Sequence, residues 1–141
     1  MILADVNVLV YAHRKDLSQH EKFSAWLKEE MESGRGYGVC DASLTGFLRV
    51  VTNGRIFSDP TPFPVALRFA EVLRDHAAAI HVNPGTRHWQ LFTDLCAAIG
   101  ARGNDIPDAY LAALAIESGS ELVTADQGFG RFPGLRWSSP A

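Results

Sequence analysis

The sequence predicts an α/β fold, with helices packed around a mainly parallel sheet. Two observations carry this. Short apolar runs alternate along the chain with longer stretches whose apolar residues recur at helical spacing, and nearly every stretch is punctuated by glycine, proline or a capping residue. Strand and helix in strict alternation is the pattern of parallel sheets. The length of 141 residues fits one domain, expected to span 1–141, with enough chain to bury a real core.

Residues 1–5 form the first expected strand, and Val6-Asn7-Val8-Leu9-Val10-Tyr11-Ala12-His13 turns at once into a helix, which leaves Asp5 at the strand's carboxyl end. Ser18-Gln19-His20-Glu21 has the form of a capping box, and Phe23, Trp26, Leu27 and Met31 continue it as a helix that Gly34 ends. Tyr37 to Cys40 is the second expected strand. Asp41 caps the next helix, whose Leu44, Phe47, Leu48 and Val51 share one face, and Asn53-Gly54 stops it.

Three prolines between Ser58 and Pro64 exclude regular structure there, so this stretch is a loop. Ala66, Phe69, Ala70 and Leu73 mark a fourth helix, Ile80-His81-Val82 a short strand, and Trp89, Phe92, Cys96 and Ile99 a fifth helix ending at Gly100. Pro107 predicts the start of another helix, which puts Asp108 in the first turn. Gly119 ends it. Glu121 to Thr124 is a further buried strand with Asp126 just beyond.

Composition narrows the function. A net charge of −3 argues against a protein that coats nucleic acid through a broad positive field, although a small site is compatible with it. Ten arginines against three lysines favour forked phosphate contacts. No apolar run approaches the roughly 20 residues of a membrane span, and the opening segment lacks the basic head of a signal peptide. Cys40 and Cys96 sit far apart in apolar surroundings, as expected of reduced, buried thiols in a cytoplasmic protein.

The chemistry lies in the acids. In open α/β sheets, ligands bind beyond the carboxyl ends of the strands, where Asp5 and Asp126 fall, and Asp108 opens a helix between them in sequence. An acid inside the apolar opening is costly without a partner. Three carboxylates meeting at one edge would repel and raise one another's pKa, a conflict that a hard divalent cation removes. Oxygen donors suit Mg²⁺, and the lack of clustered Cys or His argues against zinc. Phosphodiester hydrolysis is chemistry that such an ion supports.

Three segments strengthen this reading together. Ile2-Leu3-Ala4-Asp5-Val6-Asn7-Val8-Leu9, Ile106-Pro107-Asp108-Ala109-Tyr110-Leu111-Ala112-Ala113-Leu114-Ala115 and Leu122-Val123-Thr124-Ala125-Asp126-Gln127-Gly128-Phe129 resemble the signature stretches of PIN-domain nucleases, and more narrowly VapC toxins of bacterial toxin–antitoxin pairs. Phe47 to Phe57 resembles a subgroup of those toxins, so the likeness runs nearly end to end. The resemblance implies a three-layer α/β/α fold and an endoribonuclease dependent on Mg²⁺ or Mn²⁺. It further implies a homodimer, a VapB antitoxin that neutralises it, and RNA as substrate. It makes Asp5 and Asp108 the principal metal ligands and Asp126 a ligand directly or through water. Asn7 and Thr124 would orient these groups.

One departure stands out. The family pattern usually carries a glutamate near Gly46 or Phe47, and Ser43-Leu44-Thr45-Gly46-Phe47 offers none. Three outcomes stay open: Asp105 supplies the fourth carboxylate, the site works with three, or the chain is a catalytically impaired PIN-like domain that binds RNA or antitoxin without cleavage. Arg14, Arg49 and Arg55 flank the expected edge, with Arg49 and Arg14 the candidate RNA contacts. The five histidines follow no nuclease spacing. A receiver module would need a late lysine, and none follows Lys28; a haloacid dehalogenase-type phosphatase would need a second acid where Asn7 stands.

Overall fold

The computed structural model describes residues 1–140. In chain order the elements are β1 (Ile2–Ala4), α1 (Val6–His13), α2 (His20–Glu32), β2 (Tyr37–Val39), α3 (Asp41–Val51), α4 (Phe63–Asp75), β3 (Ala79–His81), α5 (His88–Ile99), α6 (Asp105–Ser118), β4 (Glu121–Val123), a 3₁₀ turn (Gln127–Arg131) and β5 (Trp137–Ser138). All strand pairings are parallel, in the order β3-β2-β1-β4-β5. The order reverses at β1: successive strands are added first on one side, then β4 on the other. The crevice beyond the carboxyl ends of β1 and β4 is therefore the switch point where such sheets bind ligands.

Strand alternation makes the three layers. Ala4, Val39 and Val123 point into one core with Val8, Leu9, Phe23, Leu27 and Phe47. Their neighbours Leu3 and Leu122 point into the other, with Leu95, Leu114, Phe129 and Phe132. Helices α1 to α4 thus cover one face and α5 and α6 the other. Ala109, Ala112, Ala113 and Ala115 of α6 are essentially inaccessible, and Leu111 and Leu114 are buried with them, as befits a helix packed against both the sheet and α5. The α/β/α sandwich follows the expectation, with every recorded pairing parallel. No helix among the described residues is long and apolar enough to cross a membrane.

Several local expectations need correction. The Ser18 capping box does not form: successive turns from Arg14 delay the helix to His20, which Gln19 precedes with no capping side-chain hydrogen bond. Ser18 donates to the Gln19 side chain instead. Cys40, extended at φ −126° and ψ 144°, is the residue that precedes α3, and Asp41 is its first helical residue, paired with Arg74 at 3.0 Å. Helix α6 begins at Asp105, two residues before Pro107, since the Arg102–Asp105 turn already bends the chain into the helix. Pro107 then occupies a first-turn position where its missing N–H has no partner to lose. Cys96 is half-buried, not buried, and both thiols are free. Strand β5, only two residues long, was not expected.

Candidate metal centre

Asp5 is placed by the abrupt change from β1 to α1. Its backbone N–H still extends the sheet, donating to Val123 O at 2.9 Å. Its side chain already caps the helix, with Oδ1 accepting from Val6 N at 2.7 Å. The residue is only 6% exposed. Its second oxygen, Oδ2, accepts from Thr124 Oγ1 at 2.8 Å.

Thr124, just past β4, links the two strand ends. Its fully buried hydroxyl spends its one proton on Asp5 and accepts from Asp126 N at 3.0 Å and Asn7 Nδ2 at 3.4 Å. Asn7 returns the contact by accepting from Ala125 N at 3.1 Å. Asn7 and Thr124 therefore join the start of α1 to the loop after β4, and that loop presents Asp126. The Asp126 carboxylate caps the 3₁₀ turn, accepting from Gly128 N at 2.8 Å, and the residue is exposed.

Asp108 lies on the first turn of α6, half-buried. Arg131, at the end of the 3₁₀ turn, sets one terminal nitrogen between Asp108 Oδ2 and Asp105 Oδ1, each at 3.1 Å. The guanidinium lies 4.5 Å from the centre of the Phe132 ring and also donates to Gly128 O. Asp105 accepts from Arg102 N through its other oxygen. Sequence reasoning passed over Arg131. The available signal was that it is the sole Arg or Lys between Arg102 and Arg136, a stretch that carries Asp105, Asp108 and Asp126.

The acids act on one another. Burial pushes the Asp5 carboxyl above its ordinary value, against the Thr124 and Val6 hydrogen bonds, with Asp108 and Asp126 adding repulsion. Asp108 is raised by burial too, opposed by Arg131 and reinforced by Asp126 and Asp105. By donor chemistry the set fits a hard divalent ion: carboxylates only, short of positive charge. Among the described residues, however, no three acidic, histidine or cysteine side chains close on a common point as a bound ion requires.

The missing glutamate has a packing explanation. A Cβ on Gly46 would lie 2.6 Å from Val6 Cγ2, and Phe47 is fully buried in the core. Helix α3 thus crosses α1 next to Asp5 with no space for a side chain at Gly46 while Val6 keeps its position.

The expected RNA contacts separate. Arg14 is buried, its guanidinium donating to Asp59 O at 2.7 Å, Thr61 Oγ1 at 3.2 Å and Asp16, over the Phe57 ring at 4.1 Å. It holds the proline-rich loop. Arg49 and Arg55 are exposed.

The PIN domain family model matches residues 2–135. The chain belongs to the PIN-domain family. Within it the affinity is to VapC toxins of VapBC toxin–antitoxin systems. Ribonuclease VapC43 of Mycobacterium tuberculosis is 44% identical over 140 residues, covering 99% of this chain and 95% of the relative. Ribonuclease VapC31 of the same species is 36% identical, covering 99% of both chains. The solved VapBC2 of Rickettsia felis, bound to a promoter DNA fragment, shares the fold with a TM-score of 0.69 at 19% identity, covering 99% of this chain and 98% of that one. The sarcin-ricin loop cleaving toxin VapC20 of M. tuberculosis does so with a TM-score of 0.67 at 14% identity, covering 96% and 99%. Membership in this PIN-domain family supports a hydrolase-type function for the chain.

Proposed function

We propose that this PIN domain is a divalent-ion-dependent endoribonuclease, the toxic partner of a VapB-type antitoxin. The single observation that supports it best is the Asp5–Thr124–Asp126 chain of hydrogen bonds at the switch point, with Asp108 near enough to raise Asp5. Asp5, Asp108 and Asp126 would hold Mg²⁺ or Mn²⁺, and such an ion polarises a phosphodiester and lowers the pKa of a bound water. Thr124 favours the ionised form of Asp5 by donating to it. Asn7 fixes the loop that carries Asp126. Arg49 is the exposed arginine assigned to RNA phosphates, and a homodimer is the assembly assigned to the chain. Relatives named ribonucleases at 44% and 36% identity support the reading.

A second reading has its own observations: Gly46 leaves no fourth carboxylate on α3, and the acids do not converge as they stand. Taken alone, this geometry favours a domain that binds RNA or antitoxin without cutting. One experiment separates the two. The nuclease cleaves structured RNA with Mg²⁺ or Mn²⁺, stops with chelator, and loses activity in Asp5→Ala and in Asp108→Ala. Absence of cutting with any divalent ion favours the second reading, and unchanged cutting in both variants removes the metal assignment.

A further inference from the structure

We propose that Arg131 is the built-in counter-ion of the acidic edge, competing with a divalent ion for Asp108, and that Asp105 anchors this arginine and is not a fourth metal ligand. The inference rests on the reading of the edge as a divalent-ion site.

The geometry is specific. One guanidinium nitrogen of Arg131 is shared between Asp105 Oδ1 and Asp108 Oδ2, both at 3.1 Å. The other terminal nitrogen is held by Gly128 O, and the plane of the group rests on Phe132, which is itself buried. The arginine is thus set in place by contacts outside the acids. Gly128 is part of the device: a Cβ there would lie 2.9 Å from Asp126 Oδ1 and 3.1 Å from Arg131 Nη1, so the glycine lets the Asp126 carboxylate and the guanidinium approach the same turn.

A divalent ion on Asp108 and a guanidinium on the same carboxylate repel at a few ångströms, and the ion carries twice the charge. The arginine side chain is one-third exposed, so solvent is open to it when displaced. Asp105 has a different job. One of its oxygens is on Arg131 and the other on Arg102 N, and neither bonds to the Asp5–Thr124–Asp126 network. The same contacts tie Asp108 and Asp105 to Arg131, and no converged acid cluster stands among the described residues.

The test is Mn²⁺ binding to the full chain by titration calorimetry, with no RNA and no activity measurement. A contact of this kind is worth enough that Arg131→Gln binds Mn²⁺ about fivefold tighter than wild type, or more. Arg102→Gln makes the same charge change without removing a guanidinium from Asp108, and it stays within about twofold of wild type. In the Arg131→Gln background, adding Asp105→Asn alters affinity by less than about threefold, since the anchor has lost its load. Arg131→Lys keeps the charge, loses the fork and falls between wild type and the glutamine variant, which preserves the test if Arg131→Gln folds poorly.

Equal or weaker Mn²⁺ binding in Arg131→Gln overturns the competition while leaving the divalent-ion reading intact. A loss of about tenfold or more on adding Asp105→Asn overturns the anchor role and makes Asp105 a ligand. Failure of wild type and every variant to take up Mn²⁺ removes the divalent-ion reading, and this inference falls with it.

Discussion

Replacing Thr124 with valine tests the centre of the site most directly, because the two side chains have nearly the same shape and only the hydroxyl is lost. That hydroxyl donates to the buried Asp5 carboxylate at 2.8 Å and accepts from Asp126 N at 3.0 Å. A hydrogen bond to a charged group contributes about 1.5–3 kcal/mol, and a stranded amide adds about 1 kcal/mol, for a total of roughly 2–4 kcal/mol. With about 2.1 cal/mol/K of unfolding entropy per residue over 141 residues, Tm falls by about 7–13 °C. Differential scanning calorimetry at neutral pH without divalent ions measures it. Thr124→Ser is the control: it keeps both bonds and loses one buried methyl, costing about 1 kcal/mol. A drop below about 3 °C in Thr124→Val, or an equal drop in both variants, would refute the claim that the hydroxyl joins the two strand ends.

Three other perturbations read different parts of the molecule. Arg14→Ala lowers stability by about 2–4 kcal/mol through its lost bonds to Asp59 O and Thr61; urea unfolding shows this, and a selective loss of RNA binding at unchanged stability would contradict it. Gly46→Glu does not restore a fourth carboxylate, because its Cβ meets Val6 at 2.6 Å, and the overpacking costs about 1–3 kcal/mol. A gain of nuclease activity at wild-type stability would show that Val6 yields. The raised carboxyl of Asp5 sets a pH dependence of known sign. The folded state binds its proton more tightly than the unfolded chain does, so the Asp5 contribution to metal-free stability falls as pH rises from the ordinary value of 3.8 through the raised folded one. Asp5→Asn removes that contribution. Urea titrations across this range show stability changing less unfavourably with rising pH in the variant than in wild type, whereas parallel curves would mean that Asp5 titrates normally.

What the sequence made legible was local. Asp5 stood out because an acid within an apolar opening has few structural excuses, and the strand-to-helix change around it is written in adjacent residues. Asp108 and Asp126 were individually ambiguous, as first-turn and loop acids serve everywhere. The illegible features are contacts between distant positions. Arg131 meets Asp108 across 23 residues, and its place depends on a short 3₁₀ turn that has no apolar period. Gly46 reads as a lost glutamate until Val6 is found against it. Arg14 is indistinguishable by sequence from a solvated arginine, and only the proline-rich loop folded over it makes it structural. The early start of α6 was hidden because Pro107 signals a first helical residue yet is equally at home two positions later.

The site works against the fold that carries it, and the structure contains the compensation. Burying Asp5 and half-burying Asp108 beside Asp126 raises both carboxyls, a sign that ionising them in the folded state costs free energy. Three kinds of donor offset this cost: the Val6 N–H of a helix end, the Thr124 hydroxyl and the Arg131 guanidinium. The first two lie within the sheet-and-helix framework and stay whatever binds. Only the third is a positively charged side chain, so it alone can be exchanged for another cation. A rigid pair of donors holding Asp5 and a charged side chain on Asp108 keep the edge folded without a metal ion, and on the reading proposed above the second is the one that an incoming ion would replace.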